Sequence, residues 1–273
     1  MHRFFVAPEL VQQLDAPVTL PKELAHQLRD VLYLQVGEQV VLLDNSGDEI
    51  LATIASVSKS AVDVRLVERR AGKNESPVRI ILCQGLLKSA RFEWILEKGT
   101  ELGVSIFSPI LCRRSLAGLE DAGTSKLQRW QRIITEAAEQ SGRTRLPALL
   151  PIRPLKDALN AIPPGTLALM PWEEERTLTL RAALRTSVHS KGGGGVDEER
   201  GPLRSPSSPK PLLQSDTTIT VVLFIGPEGG LTVDEVKLAQ RHGVQVVSLG
   251  SRILRAETAA LAAVTSVMYE LEQ

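Results

Sequence analysis

Phe224-Ile225-Gly226-Pro227-Glu228-Gly229-Gly230-Leu231-Thr232 opens inside an apolar run, Ile219 to Ile225, and crosses three glycines and a proline before reaching Thr232. The run reads as a buried strand and the glycines as a turn. Thr232 with Glu235 three residues on reads as a capping box at a helix start. A strand feeding a helix through a tight turn is the repeating unit of a parallel α/β sheet. In such sheets ligands bind where loops leave the carboxyl ends of strands. Glycines there accept positive φ and let backbone approach a bound molecule. No Gly-Lys-Ser/Thr follows and GxGxxG is absent, which excludes a Walker loop and a dinucleotide fingerprint. Taken alone, the segment reads equally well as a plain strand-to-helix turn.

Downstream the design repeats. Val246-Val247-Ser248-Leu249 reads as a short buried strand, and Gly250-Ser251-Arg252-Ile253-Leu254-Arg255 as the loop after it. A last helix starts near Glu257, with Leu261, Val264, Met268 and Leu271 at helical spacing. Glu257 and Thr258 suit a helix N-terminus through the dipole and capping. An arginine there is electrostatically unfavourable without a partner, so Arg255 is a better functional candidate than Glu257.

Upstream, strands are expected at Val78–Cys83, Ile106–Cys112 and Leu167–Met170, and helices at Ser89–Leu102 and Lys126–Gln140. Pro109 argues that its strand is irregular or at an edge. The first seventy or so residues differ. Val40–Asp44, Ile50–Ile54 and Ala61–Val67 are short β-branched runs, with the turn signal Asn45-Ser46-Gly47-Asp48 between two of them. They predict a small β-barrel with one helix at Lys22–Leu32. Arg69 to Pro77 reads as a linker, giving one domain over 1–72 and another over 77–273. Arg185 to Thr217, with Gly192 to Gly195 and a Ser/Pro run, reads as a flexible insertion.

Lys+Arg and Asp+Glu both number 32, so overall charge gives no argument for nucleic acid, and any such argument must be local. Lys88, Arg91, Arg113, Arg114, Arg129, Arg132, Arg143 and Arg145 form a basic cluster in the second domain; a solvated surface explains most isolated arginines, but several of these stand at element ends, which suits phosphate contacts. Cys83 and Cys112 lie in apolar runs without a CxxC or Cys/His cluster, which argues against zinc. No stretch approaches the roughly 20 apolar residues of a spanning helix. With no signal-like apolar N-terminus, the cytoplasm is the expected compartment.

Four segments then carry a resemblance: Glu97-Lys98-Gly99-Thr100-Glu101-Leu102-Gly103-Val104, Glu136-Ala137-Ala138-Glu139-Gln140-Ser141-Gly142-Arg143, the Ile225 to Gly230 turn, and Leu249 to Ala259. In this order they strongly resemble the RsmE family of 16S ribosomal RNA uridine-N3 methyltransferases, of the SPOUT class. The resemblance runs from Arg3 to the last helix. It implies a SPOUT-type parallel sheet with a C-terminal trefoil knot, preceded by a PUA-like β-barrel. It also implies a homodimer, with 16S rRNA bound across both subunits and S-adenosylmethionine held by knot loops. By carry-over the cofactor contacts are Met170, Ile225, Gly226, Pro227, Gly229, Gly230, Leu249, Gly250, Ile253, Leu254, Arg255, Glu257 and Thr258. The RNA contacts are Arg3, Lys88, Arg91, Arg113, Arg114 and Arg252. Tyr33 stands where many members have an arginine, and the 185–217 insertion is longer than usual.

Methyl transfer from a sulfonium needs chiefly positioning. Charge left on uridine O2 and O4 as the N3 proton departs calls for an arginine, for which Arg255 and Arg143 are the candidates. Glu136 is the candidate base, although a helix-surface or ion-paired glutamate explains it as well. No metal is needed, and the target uridine must unstack. The rivals are a SPOUT enzyme acting on another base or ribose, a catalytically dead RNA-binding module, and a nucleotide-dependent α/β enzyme, which lacks its phosphate motif.

Overall fold

A computed structural model describes residues 1–12, 17–116, 118, 123–192 and 219–272. Its first sheet holds five strands: β1 (Arg3–Phe5), β2 (Pro17–Thr19), β3 (Gln39–Leu43), β4 (Asp48–Val57) and β5 (Val62–Ala71), in the order β1-β3-β4-β5-β2. Only β1 and β3 run parallel. Alternation sends Ile50, Ala52 and Ile54 of β4, and Val62, Val64 and Leu66 of β5, into one core with Phe4, Leu28 and Leu42. Helix α1 (Lys22–His26), widened over Gln27–Val31, covers that core with Ala25 and Leu28.

The linker expected at Arg69 to Pro77 starts later than its polarity implies. Strand β5 continues to Ala71 because its charges pair across strands, Arg69 with Asp44 and Asp48, and Arg70 with Glu49. Two short strands, β1 and β2, carry too few residues to show a period and were not legible.

The remaining strands form an all-parallel sheet. They are β6 (Val78–Gly85), β7 (Val104–Leu111), β8 (Ala148–Leu149), β9 (Arg153–Pro154), β10 (Leu167–Pro171), β11 (Ile219–Ile225) and β12 (Gln245–Val247). Their order is β12-β10-β11-β6-β7-β8, with β9 also beside β7. Both faces are covered, which is why these strands are continuously apolar. On β11, Val221, Leu223 and Ile225 face one core, and Val222 and Phe224 face the other. Helices α2 (Ser89–Glu101), α3 (Thr124–Ser141), α5 (Leu180–Gly192) and α7 (Ala256–Leu271) contribute to the first core. Helices α4 (Leu155–Asn160) and α6 (Val233–Arg241) contribute to the second. In the first, Phe92 of α2 meets Trp130 of α3 with ring centroids 4.5 Å apart.

Pro109 lies inside β7, not at the end of the sheet. The outer partner is broken there instead: β8 pairs Ile106 and Phe107, and β9 pairs Ile110 and Leu111. A proline that cannot donate falls where that ladder is interrupted. The insertion also needs correction at its start. Arg185 to Gly192 continue helix α5, which Leu180, Ala183 and Leu184 anchor in the core. The rest of that insertion, from residue 193 on, lies outside the described residues.

The two sheets meet along a polar seam. Phe5 N–H donates to Glu139 Oε1 of α3 at 2.9 Å, and Leu146 N–H to Asn45 Oδ1 at 2.7 Å. Glu75 Oε1 accepts from the backbone of Thr144 and Arg145, and Asn74 Nδ2 donates to Gly142 O.

Candidate active site

Strands β12, β10 and β11 are parallel neighbours, so their carboxyl ends lie side by side. The segments leaving those ends line one pocket: Pro171, Trp172, Glu173 and Arg176 after β10, Ile225 to Glu228 with Gly230 and Leu231 after β11, and Ser248 to Gly250 with Arg252 to Ala256 after β12. Ala259 of α7 completes the wall. Backbone hydrogen bonds join the segments after β10 and β12 and close the turn after β11. Trp172 N–H donates to Val247 O at 3.0 Å, Ser248 N–H to Leu178 O at 2.8 Å, and Gly230 N–H to Pro227 O at 2.9 Å.

Two glycines here need to be glycines. Gly230 has φ +73° and Gly250 φ +114°, values that cost side-chain-bearing residues of order 1–3 kcal/mol. A third contact was missed in the sequence: a Cβ on Gly85, at the end of β6, would lie 2.5 Å from Pro227 N. The turn therefore rests directly on β6 backbone. Next to it, Gln84 is 1% exposed and its Nε2 donates to the carbonyls of Gly85 and Gly226. Among the described residues two buried polar atoms at this site are left without partners, Gln84 Oε1 and, on a pocket-lining side chain, Trp172 Nε1.

Of the expected cofactor contacts, Ile225, Gly226, Pro227, Gly230, Leu249, Gly250, Ile253, Leu254 and Arg255 line this pocket, and so does Arg252. Four others do not. Met170 is fully buried in the core beneath α4 and α6, and it is the next residues of the chain that reach the pocket. Gly229 turns away, its Cβ position 2.9 Å from Arg114 Cβ. Glu257 and Thr258 start α7 outside the pocket lining, with Glu257 turned to Arg91, Oε1 to Nε 3.7 Å.

Arg255 is the N-cap residue of α7, yet its side chain makes no capping bond. Among the described residues neither the Arg252 nor the Arg255 guanidinium has a hydrogen-bond or ion-pair partner, so both stand at the pocket with their donors unused. Arg143 is elsewhere. It is 6% exposed, donates through Nη1 to the carbonyls of Thr100 and Val104, and pairs through Nη2 with Glu75 Oε2 at 2.9 Å. Within one chain it is a strut between α2, β7 and the segment joining the two sheets. Glu136 is exposed on α3 and paired with Arg132 at 3.0 Å, also away from the pocket.

The expected RNA contacts divide as well. Lys88 is exposed at the start of α2 and its ammonium has no partner among the described residues. Arg3 sits in the seam, Nη2 3.6 Å from Glu49 Oε1. Arg91, Arg113 and Arg114 all reach the Gly226–Glu235 segment. Arg91 Nη1 is 2.8 Å from Glu228 Oε1, Arg113 Nη1 is 3.0 Å from Asp234 Oδ2, and Arg114 Nη1 donates to Gly229 O at 3.1 Å. Arg113 N–H also donates to Glu235 Oε1, the carboxylate that closes the capping box with Thr232. Among the described residues no three His, Cys, Asp or Glu side chains gather as a metal site.

The chain is similar to known proteins along most of its length. Residues 74–193 and 197–268 match the family described as RNA methyltransferase domain. Aligned over its whole length, the chain is 30% identical to ribosomal RNA small subunit methyltransferase E of Bacillus subtilis (strain 168), covering 100% of this chain and 98% of that one. The chain belongs to the ribosomal RNA small subunit methyltransferase E family. The family's protein from Synechocystis sp. is 36% identical over 99% of this chain and 78% of its own length. A methyltransferase E of Neisseria gonorrhoeae, solved bound to S-adenosyl methionine, superposes with a TM-score of 0.79 at 28% identity, covering 98% of this chain and 97% of that one. A Legionella pneumophila protein in complex with the same cofactor has a TM-score of 0.77, also at 28% identity, covering 98% and 96%. These methyltransferase structures thus share the overall fold of this chain.

Proposed function

We propose that this chain transfers a methyl group from S-adenosylmethionine to N3 of a uridine in 16S ribosomal RNA. The observation carrying this reading is the meeting of the Ile225–Leu231 turn and the Ser248–Ala256 loop in one pocket. That pocket belongs to a chain whose cofactor-bound structural neighbours superpose along almost its whole length.

The residues present fit the cofactor. Gly226, Gly230 and Gly250 offer backbone rather than side chains to an adenosyl group, and Trp172 Nε1 is a buried donor without an acceptor. Buried Ile225 and half-buried Leu249 and Leu254 provide apolar surface for a purine. When bound, S-adenosylmethionine supplies a methyl carbon activated by the sulfonium it leaves. The protein's own work is to fix the acceptor nitrogen in line and to stabilise the charge left on uridine O2 and O4. Arg255, with its donors unused at the pocket wall, has that second role, and Arg252 and Lys88 offer phosphate contacts. Arg143 is a structural residue in this reading. Glu136 can receive the N3 proton only if α3 of a second copy delivers it, because α3 does not reach this pocket within one chain.

The same reading divides the chain into a PUA-like RNA-binding barrel over 1–72 and a SPOUT methyltransferase domain from 77 on, knotted at its C-terminal loops. In support, the core of the first sheet draws only on residues before Val78. The protein then acts as a homodimer on the small-subunit RNA in the cytoplasm. No helix among the described residues is long and apolar enough to cross a membrane.

Mass spectrometry of 16S RNA from a deletion strain tests the reaction: 3-methyluridine should vanish and return on complementation. Its persistence without the protein would overturn the assignment. Arg255→Ala should lower turnover about 100-fold or more while RNA affinity changes little. Equal losses in both would make Arg255 a substrate-binding residue.

A further inference from the structure

Two of the arginines expected to meet phosphate, Arg91 and Arg114, reach the glycine turn within this chain, and Arg91 also reaches the helix that follows the second loop of the pocket. Arg91 leaves the first turn of α2 and places Nη1 2.8 Å from Glu228 Oε1, in the middle of Pro227-Glu228-Gly229. Its Nε lies 3.7 Å from Glu257 Oε1, at the start of α7, directly after the Ser248–Arg255 loop. One guanidinium thus spans the two segments that must stay together for the pocket to exist. Glu257 gives a reason for the bridge to hold. Its side chain is 14% exposed, and its other oxygen, Oε2, is buried with no hydrogen-bond partner among the described residues. A carboxylate held out of water in this way needs a nearby cation. On the opposite side, Arg114 packs its stem against Gly229 and donates to the Gly229 carbonyl.

We propose that Arg91 is a positioning residue for the cofactor pocket, bridging Glu228 of the glycine turn to Glu257 of α7, with Arg114 holding the turn from its other side. Arg91 touches neither methyl donor nor RNA in this role. It acts through the two carboxylates, fixing the separation of the loops before the cofactor arrives, which lowers the ordering cost of binding. The guanidinium fork suits two acceptors on different segments, whereas a lysine ammonium offers a single point of charge.

This inference rests on the pocket being the S-adenosylmethionine site, and the test separates the two. Calorimetric titration of the full-length wild-type protein with S-adenosylmethionine comes first; no binding there removes the proposed function, not the role of Arg91. Given binding, Arg91→Ala should weaken the cofactor roughly threefold to tenfold, and Arg91→Lys should recover part of the loss. The double variant Arg91→Ala/Glu257→Gln should bind no worse than Arg91→Ala, because the bridge is already gone and Glu257 lies outside the pocket lining. In the cofactor-free protein, amide exchange of residues 226–230 should quicken in Arg91→Ala while that of β6 and β7 stays unchanged. RNA affinity should keep its wild-type salt slope. The proposal is overturned if Arg91→Ala binds cofactor normally, or if the slope of log K against log salt falls by about one, the sign of a lost phosphate contact.

Discussion

At the scale of single residues, local chemistry and position disagree most clearly at Arg143 and Arg255. Both are arginines beside helix ends. Arg143 is buried and faces three acceptors, whereas Arg255 is exposed at the pocket and its guanidinium has no partner among the described residues. Removing one partner of a buried pair leaves the other charge uncompensated, at a cost of about 3–5 kcal/mol. Arg143→Met should therefore lose most of that amount in urea unfolding, with discounting for Glu75, which is partly exposed. The fraction that remains folded should keep near-normal turnover. Normal stability with lost turnover would return Arg143 to the chemistry. Nothing in the sequence separates the two arginines, because their difference is which carbonyls and carboxylates fold up around them.

Elements were legible where they were long and periodic. Strands β6 and β11, helices α2, α3 and α7, and the Thr232 capping box of α6 all stand where apolar spacing and capping chemistry put them. Helix α5 was misjudged beyond Arg185 because its outer residues resemble the polar segment that follows. Its order comes from Leu180, Ala183 and Leu184 packing on the sheet. The contact between β1 and α3 shows how an element pair can respond to pH. Glu139 of α3 accepts Phe5 N–H, and burial raises its carboxyl above the ordinary 4.5, a rise that nearby Glu136 adds to and the Phe5 bond opposes. The folded state thus holds this proton more tightly than the unfolded chain. The ionised form is disfavoured on folding, so stability falls as pH rises from about 4.5 through the raised folded value. Glu139→Gln keeps an acceptor for Phe5 without that charge. It should unfold at a higher temperature than wild type at pH 7, with the advantage fading below pH 4.5. An advantage that grew on acidification would refute this reading of Glu139.

Across the whole molecule, two sheets with separate cores are joined by backbone-to-side-chain hydrogen bonds in which Asn45 and Glu75 are prominent acceptors. Such a seam couples the sheets without a shared apolar core. Asn45→Gly combined with Glu75→Ala should split a single calorimetric unfolding transition into two, each close to the enthalpy of one sheet and its helices. A single transition at lower temperature would mean that apolar contacts across the seam dominate. The sequence by itself determined the α/β class, the two loops and the family, because periodicity, glycine turns and capping are local properties of the chain. Only the tertiary structure decided which basic residues face the pocket and which brace it, and that Gly85, Gln84 and Trp172 belong to the site. Those roles depend on which segments the sheet order β12-β10-β11-β6 brings side by side, and partners so far apart in the chain leave no pattern along it.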